Sequence, residues 1–362
     1  MTNALVLGGG LAGSGAAILL ARAGRSVSLI ERETGPHHNV CGEFLSIEAR
    51  DHLEALGMDP VALGGSPIDR VELASGSTLI EAPLPFTALG LSRYRLDEAL
   101  LERAAGAGVD VRRGIRVNAI EGDSIRTSTG DVEGDTVLLA TGKHRIRGER
   151  DEADGAEDPF IGFKMHFRLS PQARSALAGT IRLILFDGGY AGLQPVEDDR
   201  ANLCLVIRKV RLGELGGSWD AVLSMLCALP HCGEWLRDAE PLMTRPAAIS
   251  NLPYGRMARP AADERMFLLG DRAGMTASLT GDGMALALRS AFVASRCVLQ
   301  GGDVRDYTAS YLQEVQGQIR RAMMLQHWQE YRLLRLGGVA LLSACPAIVT
   351  RLARATRLRR WA

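Results

Sequence analysis

Gly8, Gly10 and Gly13 satisfy G-x-G-x-x-G directly after the apolar run Ala4 to Leu7, and they open a stretch of apolar and small residues at helical spacing that lasts to Gly24. Val27 to Ile30 then reads as a second strand, ending in Glu31 eighteen residues beyond Gly13. Strand, glycine turn, helix, strand and terminal acid form a βαβ unit suited to a dinucleotide. The glycines permit the tight turn and close backbone approach, the helix N-terminus attracts pyrophosphate, and the acid accepts from a ribose hydroxyl. The same pattern serves FAD and NAD(P), so this unit alone leaves the dinucleotide open.

A second chemical stretch lies in the C-terminal third. The apolar run Met266 to Leu269 leads into Gly270-Asp271-Arg272-Ala273-Gly274, and Thr280-Gly281-Asp282-Gly283 leads into a helix from Met284 to at least Ala291. An acid at a strand's carboxyl end can bond a polyol, and glycines opening a helix let a flat ring reach its positive end.

The elements that must position these groups follow from composition and periodicity. At 362 residues the chain has length for two domains. Forty-two basic residues against 42 acidic ones lack the cationic excess that phosphate-backbone binding uses, so nucleic acid is not an expected partner. The six cysteines, at 41, 204, 227, 232, 297 and 345, are scattered without metal-ligand spacing. Free thiols and no metal site are expected. The start MTNALVLGGG reads as a strand and not as an export leader, which predicts a cytoplasmic protein.

Between the two chemical stretches, Val71 to Ala74 and Thr78 to Glu81 read as a hairpin, with further strands at Ile161 to Leu169, Ile181 to Phe186 and Ala201 to Ile207. Phe163, Met165 and Phe167 alternate with Lys164, His166 and Arg168, giving one apolar and one cationic face. The cationic face is expected to meet solvent or an acidic or phenolic substrate, with His166 as proton acceptor.

Four stretches in order resemble the superfamily of FAD-dependent monooxygenases and geranylgeranyl-reductase-like enzymes that has the p-hydroxybenzoate hydroxylase fold: the N-terminal fingerprint, Cys41-Gly42-Glu43, Arg93-x-x-Leu96-Asp97-x-x-Leu100, and Gly270-Asp271 with its Gly281/Gly283 helix start. The resemblance implies an α/β fold: a Rossmann-like FAD domain from residues 1–70, 90–157 and 255–330, an inserted, mainly antiparallel β-sheet substrate domain from 71–89 and 158–254, and a helical C-terminal tail, 331–362. It implies Gly8, Gly10, Gly13, Glu31 and Arg32 around the ADP half, Arg93 beside the FAD, Asp271 at the ribityl chain, and Gly281, Gly283 and Met284 near the flavin ring. Cys41 is a candidate for proximity to that ring. No second G-x-G-x-x-G occurs, so NADPH or NADH is expected as a transient reductant.

The chain departs from the family in two places. Ala140-Thr141-Gly142-Lys143 stands where many hydroxylases have Gly-Ala-Asp-Gly, and is followed by the cluster Lys143, His144, Arg145, Arg147, read as a solvated loop. Tyr190-Ala191-Gly192-Leu193-Gln194-Pro195 stands where the reductases resemble Tyr-x-Trp-x-Phe-Pro and the flavin halogenases Trp-x-Trp-x-Ile-Pro. With Tyr190, Gly192 and Gln194 aimed at the ring, a wide and polar pocket is expected. The tail has an apolar stretch, Leu336 to Val349, followed by Arg351, Arg354, Arg357, Arg359 and Arg360. It is expected to pack on the FAD domain, a weak contact with an anionic membrane surface being the alternative.

These features favour an NAD(P)H-driven flavin monooxygenase of secondary metabolism that hydroxylates an aromatic or polyketide-like small molecule. The alternatives are a reductase saturating isoprenoid or polyene double bonds, and a flavin- or NAD-binding protein without turnover. Substrate identity, regiochemistry and oligomeric state stay open.

Overall fold

A computed structural model describes residues 3–121, 124–143, 146, 159–259 and 265–358. His144, Arg145, Arg147, Arg359 and Arg360 lie outside the described residues.

The dinucleotide unit forms as its periodicity predicts. Strands Asn3–Leu7 and Ser26–Glu31 pair in parallel, with helix Leu11–Arg22 between them. The full sheet runs Met266–Leu268, Thr136–Leu139, Asn3–Leu7, Ser26–Glu31, Asp110–Arg113, every pair parallel. Its central strands are continuous apolar runs because both faces are covered. On one face, helix Leu11–Arg22 packs against helix Gly283–Leu299 at Gly15, where an added Cβ would lie 3.3 Å from that of Ala291. A small antiparallel ribbon, Val117–Glu121, Ser124–Thr127 and Gly130–Val132, covers part of the other, with Ile120 and Ile125 packed on Leu5 and Leu139.

The second sheet runs Glu240–Pro241, Phe160–Arg168, Arg200–Arg208, Gly189–Pro195, Gly179–Phe186, Ser66–Ser75, Thr78–Gly90, Phe44–Leu45, with Ala247–Ser250 also paired to Phe160–Arg168. All pairs are antiparallel except Gly179–Phe186 with Ser66–Ser75. It takes in Phe44–Leu45 and residues 66–70, stretches that the sequence reading gave to the FAD side.

The two faces of this sheet do different jobs. Phe163, Met165, Phe167, Leu193, Leu203 and Leu205 point to one side and pack against helices Pro171–Leu177 and Trp219–Ala228. The opposite face carries Leu73, Ile80, Leu185 and Tyr190 under helices Arg332–Ala344 and Ala347–Ala355. The tail's two helices therefore lie on the substrate-side sheet, while its end reaches the FAD domain as expected, Leu358 joining that core and Arg357 pairing with Asp282. Val339 and Leu342 provide its apolar contact, and Arg335 and Arg208 pair with Asp187 and Glu330. Among the described residues no single helix is long and apolar enough to cross a membrane.

Candidate functional site

A cavity of about 1190 Å³ lies between the two sheets. That exceeds the usual range for one small ligand, roughly 300–1,000 Å³. Its walls contain every residue assigned to FAD except Gly13, which sits one turn behind.

The glycine turn shows why these positions are glycine. Gly8 has φ +107°, and a Cβ there would lie 2.5 Å from the Ala140 carbonyl oxygen. At Gly13 a Cβ would lie 1.9 Å from the Gly8 carbonyl oxygen, so helix Leu11–Arg22 can start only where side chains are absent. Glu31 ends its strand with its carboxylate at the cavity, accepting from the backbone N–H of Gly9 at 2.7 Å and of Glu33 at 2.8 Å. Arg32 pairs with Glu33 at the same rim.

Ser92 caps helix Arg93–Gly106 by accepting from Arg95 N–H at 3.2 Å. Arg93, the first residue of the helix, forks onto Asp97 one turn further in, Nε to Oδ1 at 2.6 Å and Nη2 to Oδ2 at 2.7 Å. Burial opposes its charge, but the adjacent Asp97 carboxylate outweighs burial and holds the guanidinium more firmly protonated than usual. Asp271, Gly281, Gly283 and Met284 line the other end, Gly281 in the left-handed conformation that ends the turn Ser278–Thr280. Space is open around Cβ positions built at Gly42 and Gly283. Glycine cradle, acid, buried cation and open helix start fit FAD.

At the ring end the structure corrects the cationic face. Lys164 and His166 are buried, and Glu43 lies between them, hydrogen-bonded by Lys164 Nζ and 2.7 Å from His166 Nε2. The face is thus neutralised from inside, and His166 is no free proton acceptor at the cavity wall. Burial pushes the Glu43 carboxyl up, but Lys164 and His166 together outweigh it and hold it below the usual range. Arg168 pairs with Glu240 at the surface. His38 takes the place at the cavity that His166 was expected to hold, its ring 4.9 Å from those of His166 and Tyr94. Burial and then the Lys164 charge push His38 down to about 4, so it is neutral near pH 7.

Gln194 is also relocated. It is buried away from the cavity and donates to the Glu43 carbonyl at 2.9 Å, while Asn202 beside it donates to the carbonyls of Cys41 and Gly42 at 3.1 and 2.9 Å. These amides hold Cys41-Gly42-Glu43 against the cavity even though Glu43 has φ 59°, a strained value for a residue with a side chain. Cys41 stays at the wall. Tyr190 lies behind Ser278, and the Ser278 hydroxyl joins those of Tyr190 and Tyr254. Burial raises both phenols well above their ordinary range, so they remain protonated. The wide polar pocket expected around Gly192 and Gln194 is therefore replaced by a largely apolar wall of Val206, Ile249, Leu252, Met275 and Tyr254.

Sequence reasoning missed Glu43, His38, Asn202 and Ser278 as site residues. Only Glu43 carried a signal, within its Cys-Gly-Glu triplet. Lys143, at the head of the basic cluster, lies at the cavity, its Nζ 3.4 Å from the Val40 carbonyl. Among the described residues no group of His, Cys, Asp and Glu could hold a metal ion.

Glu31→Ala is expected to reduce FAD affinity by about 10- to 100-fold, the loss of one or two hydrogen bonds to a charged acceptor. Flavin content after purification and titration of the apoprotein measure it, and undiminished affinity would remove Glu31 from the site.

Comparison with known proteins agrees with this geometry. A family model described as FAD binding domain matches residues 1–144. The chain is 27% identical to the probable electron transfer flavoprotein-quinone oxidoreductase YdiS of Escherichia coli, over 91% of this chain and 84% of the other. It is 25% identical to menaquinone reductase of Mycolicibacterium smegmatis, over 85% and 79%. Among solved structures, the flavin-dependent brominase Bmp2 superposes with a TM-score of 0.77 at 18% identity, covering 98% of this chain and 93% of the other. PqsL of P. aeruginosa in complex with 2-aminobenzoylacetate does so with a TM-score of 0.70 at 20% identity, covering 93% and 99%. With an FAD-binding match over residues 1–144 and one shared fold along nearly its whole length, the chain carries an FAD-binding domain and has the fold of these flavoproteins.

Proposed function

We propose that the protein is an FAD-dependent reductase that passes two electrons from NAD(P)H to a lipophilic quinone- or polyene-like molecule. The observation that carries this reading is the apolar wall of Val206, Ile249, Leu252 and Met275 facing the ring end of the cavity, where a polar wall had been expected. Two residues on which a polar aromatic acceptor would depend, His166 and Gln194, are turned instead to holding the Cys41–Glu43 loop. The quinone oxidoreductase and menaquinone reductase among the relatives support the same substrate class.

When bound, FAD supplies the hydride chemistry. The chain's residues bind and orient. Gly8, Gly10, Gly13 and Glu31 would hold the nucleotide half, Arg93 would lie beside the cofactor, and the Cys41–Glu43 loop would line its ring end. The apolar wall excludes water and seats the substrate. Tyr254 Oη, kept protonated and joined through Ser278 Oγ to Tyr190 Oη, holds a proton where the reduced substrate needs one. Overall, NAD(P)H and one proton give NAD(P)⁺ and a substrate richer by two hydrogen atoms.

Hydroxylation is the second reading, favoured by the same Tyr254–Ser278 hydroxyl pair, which can orient a phenolic ring at the wall. Oxygen separates the two. Under strict anaerobiosis, with NAD(P)H and a short-chain menaquinone analogue, turnover is expected to continue and the product to be about two mass units heavier, two hydrogens having been gained. Turnover that stops without oxygen, with one atom of O₂ in the aerobic product, would replace reduction by hydroxylation.

A further inference from the structure

Helix Arg332–Ala344 is amphipathic in the opposite sense to an ordinary surface helix. Its inward side consists of Arg335, Val339 and Leu342, all buried on the substrate-side sheet. At 100° per residue the outward side is Leu333, Leu334, Gly337, Ala340, Leu341 and Ala344, without a charge. Leu333 is 83% exposed, Leu341 58% and Leu334 56%, and Leu336 on the flank is 52%. Met324 and Tyr331, on the preceding turns, are also exposed. An apolar patch of this kind marks an interaction surface.

The charge around it selects the occupant. From residue 331 to 362 there are seven arginines and no acidic residue, whereas the preceding 330 residues hold 42 acidic and 35 basic ones, a net charge of −7. After a 114° bend, helix Ala347–Ala355 reverses the arrangement. Ile348, Val349 and Leu352 turn toward the sheet, and Arg351 and Arg354 are exposed. One helix offers leucines outward and the next offers arginines. Lipid acyl chains beneath anionic headgroups match both. A second copy of this chain would bring like charge against like charge at a two-fold contact.

The apolar layer beneath these helices is continuous with the cavity. Val206, Ile249, Leu252, Tyr254 and Met275 belong both to the cluster that the helices cover and to the cavity wall.

We infer that the two C-terminal helices dock the protein on an anionic bilayer surface, the leucines of Arg332–Ala344 entering the headgroup boundary and Arg351 and Arg354 pairing with lipid phosphates. Docking requires no particular chemistry at the flavin, so it is read by lipid binding and not by turnover.

The test is co-sedimentation of the FAD-loaded protein with vesicles of phosphatidylcholine alone and of phosphatidylcholine with phosphatidylglycerol. Binding is expected to the second and to fall in high salt. Leu333→Glu/Leu341→Glu and, separately, Arg351→Glu/Arg354→Glu are each expected to weaken it by roughly tenfold or more with flavin content and circular dichroism unchanged. Since Leu333 and Leu341 face solvent, the fold has little to lose, and the arginine pair tests the surface again without touching an apolar side chain. Equal binding to both vesicles, no binding to either, or variants that bind as the parent does would overturn the inference. So would a dimer in gel filtration that the leucine variant dissolves while the parent ignores vesicles.

Discussion

Exchanging Glu43 for glutamine is expected to cost about 3–5 kcal/mol of folding stability, the usual penalty for breaking a buried ion pair from one side. The carboxylate is wholly buried, as is Lys164, which would be left with only an amide opposite it. Glutamine keeps one oxygen for Lys164 and for the Arg93 N–H, which bonds Glu43 Oε1 at 2.8 Å, but sets an NH2 group against His166 where the second carboxylate oxygen stood. Lys164→Met on top of Glu43→Gln removes the stranded amine and is expected to recover part of the loss, since groups in contact are not additive. Denaturant titration of the four proteins gives the coupling directly. A Glu43→Gln protein within about 0.5 kcal/mol of the parent, the ordinary range for uninvolved surface positions, would show that the cluster contributes nothing.

The same cluster sets an acid limit. The Glu43 carboxyl lies below its ordinary 4.5 in the folded protein, so its contribution is present above that value and is lost as pH falls through the folded value. His38 is lowered from 6.5 to about 4, so between those values the unfolded chain binds a proton that the folded one refuses. These two contributions are expected to begin falling near pH 6.5 and to steepen below about 4.5, against the buried Asp282, whose carboxyl, raised to about 6 by burial, favours the folded protein as pH falls below that value. His38→Phe should flatten the upper part of the curve and leave the lower part.

Gly13→Ala is expected to abolish the flavin site outright. A methyl group 1.9 Å from the Gly8 carbonyl forces strand Asn3–Leu7 and helix Leu11–Arg22 apart at the turn that receives pyrophosphate. Overpacking of this kind costs about 3 kcal/mol or more. Gly42→Ala provides the contrast, because nothing lies within 4 Å of a Cβ there. It should fold as the parent does while crowding the ring end of the cavity. Soluble yield and the flavin-to-protein absorbance ratio distinguish them: low on both counts for Gly13→Ala, low only in flavin for Gly42→Ala.

The FAD half was readable because its logic is local. Strand, turn, helix and acid lie within 31 residues, and each has a periodicity or a backbone requirement of its own. The ring end was not readable for the opposite reason. Alternation placed Lys164 and His166 on one side of their strand, but strand periodicity says nothing of what covers that side, and the covering carboxylate is 121 residues away from Lys164. Gln194 likewise lies on the face anticipated for it, yet at the register of Asn202 it meets the Cys41–Glu43 backbone before it can reach a ligand. The tail's contact with the second sheet was missed because its buried residues, Val339 and Leu342, are as apolar as its exposed ones, leaving composition unable to say which side packs.

The two-residue strand Phe44–Leu45 continues directly from the Cys41–Glu43 loop and pairs with Leu89 and Gly90 at the edge of the second sheet. At Gly90 a Cβ would lie 1.9 Å from the Pro195 carbonyl oxygen, so that edge is also pressed against the strand bearing Gln194. Loop and sheet are consequently one mechanical piece. A hinge that swung the sheet away from the nucleotide side would carry the Cys41–Glu43 loop with it, because the Gln194 and Asn202 amides bind that loop to the sheet. The segment 242–254, which lines another side of the cavity, is tied to the same sheet, through strand Ala247–Ser250 and the Leu242 N–H, which donates to the His166 carbonyl at 2.8 Å.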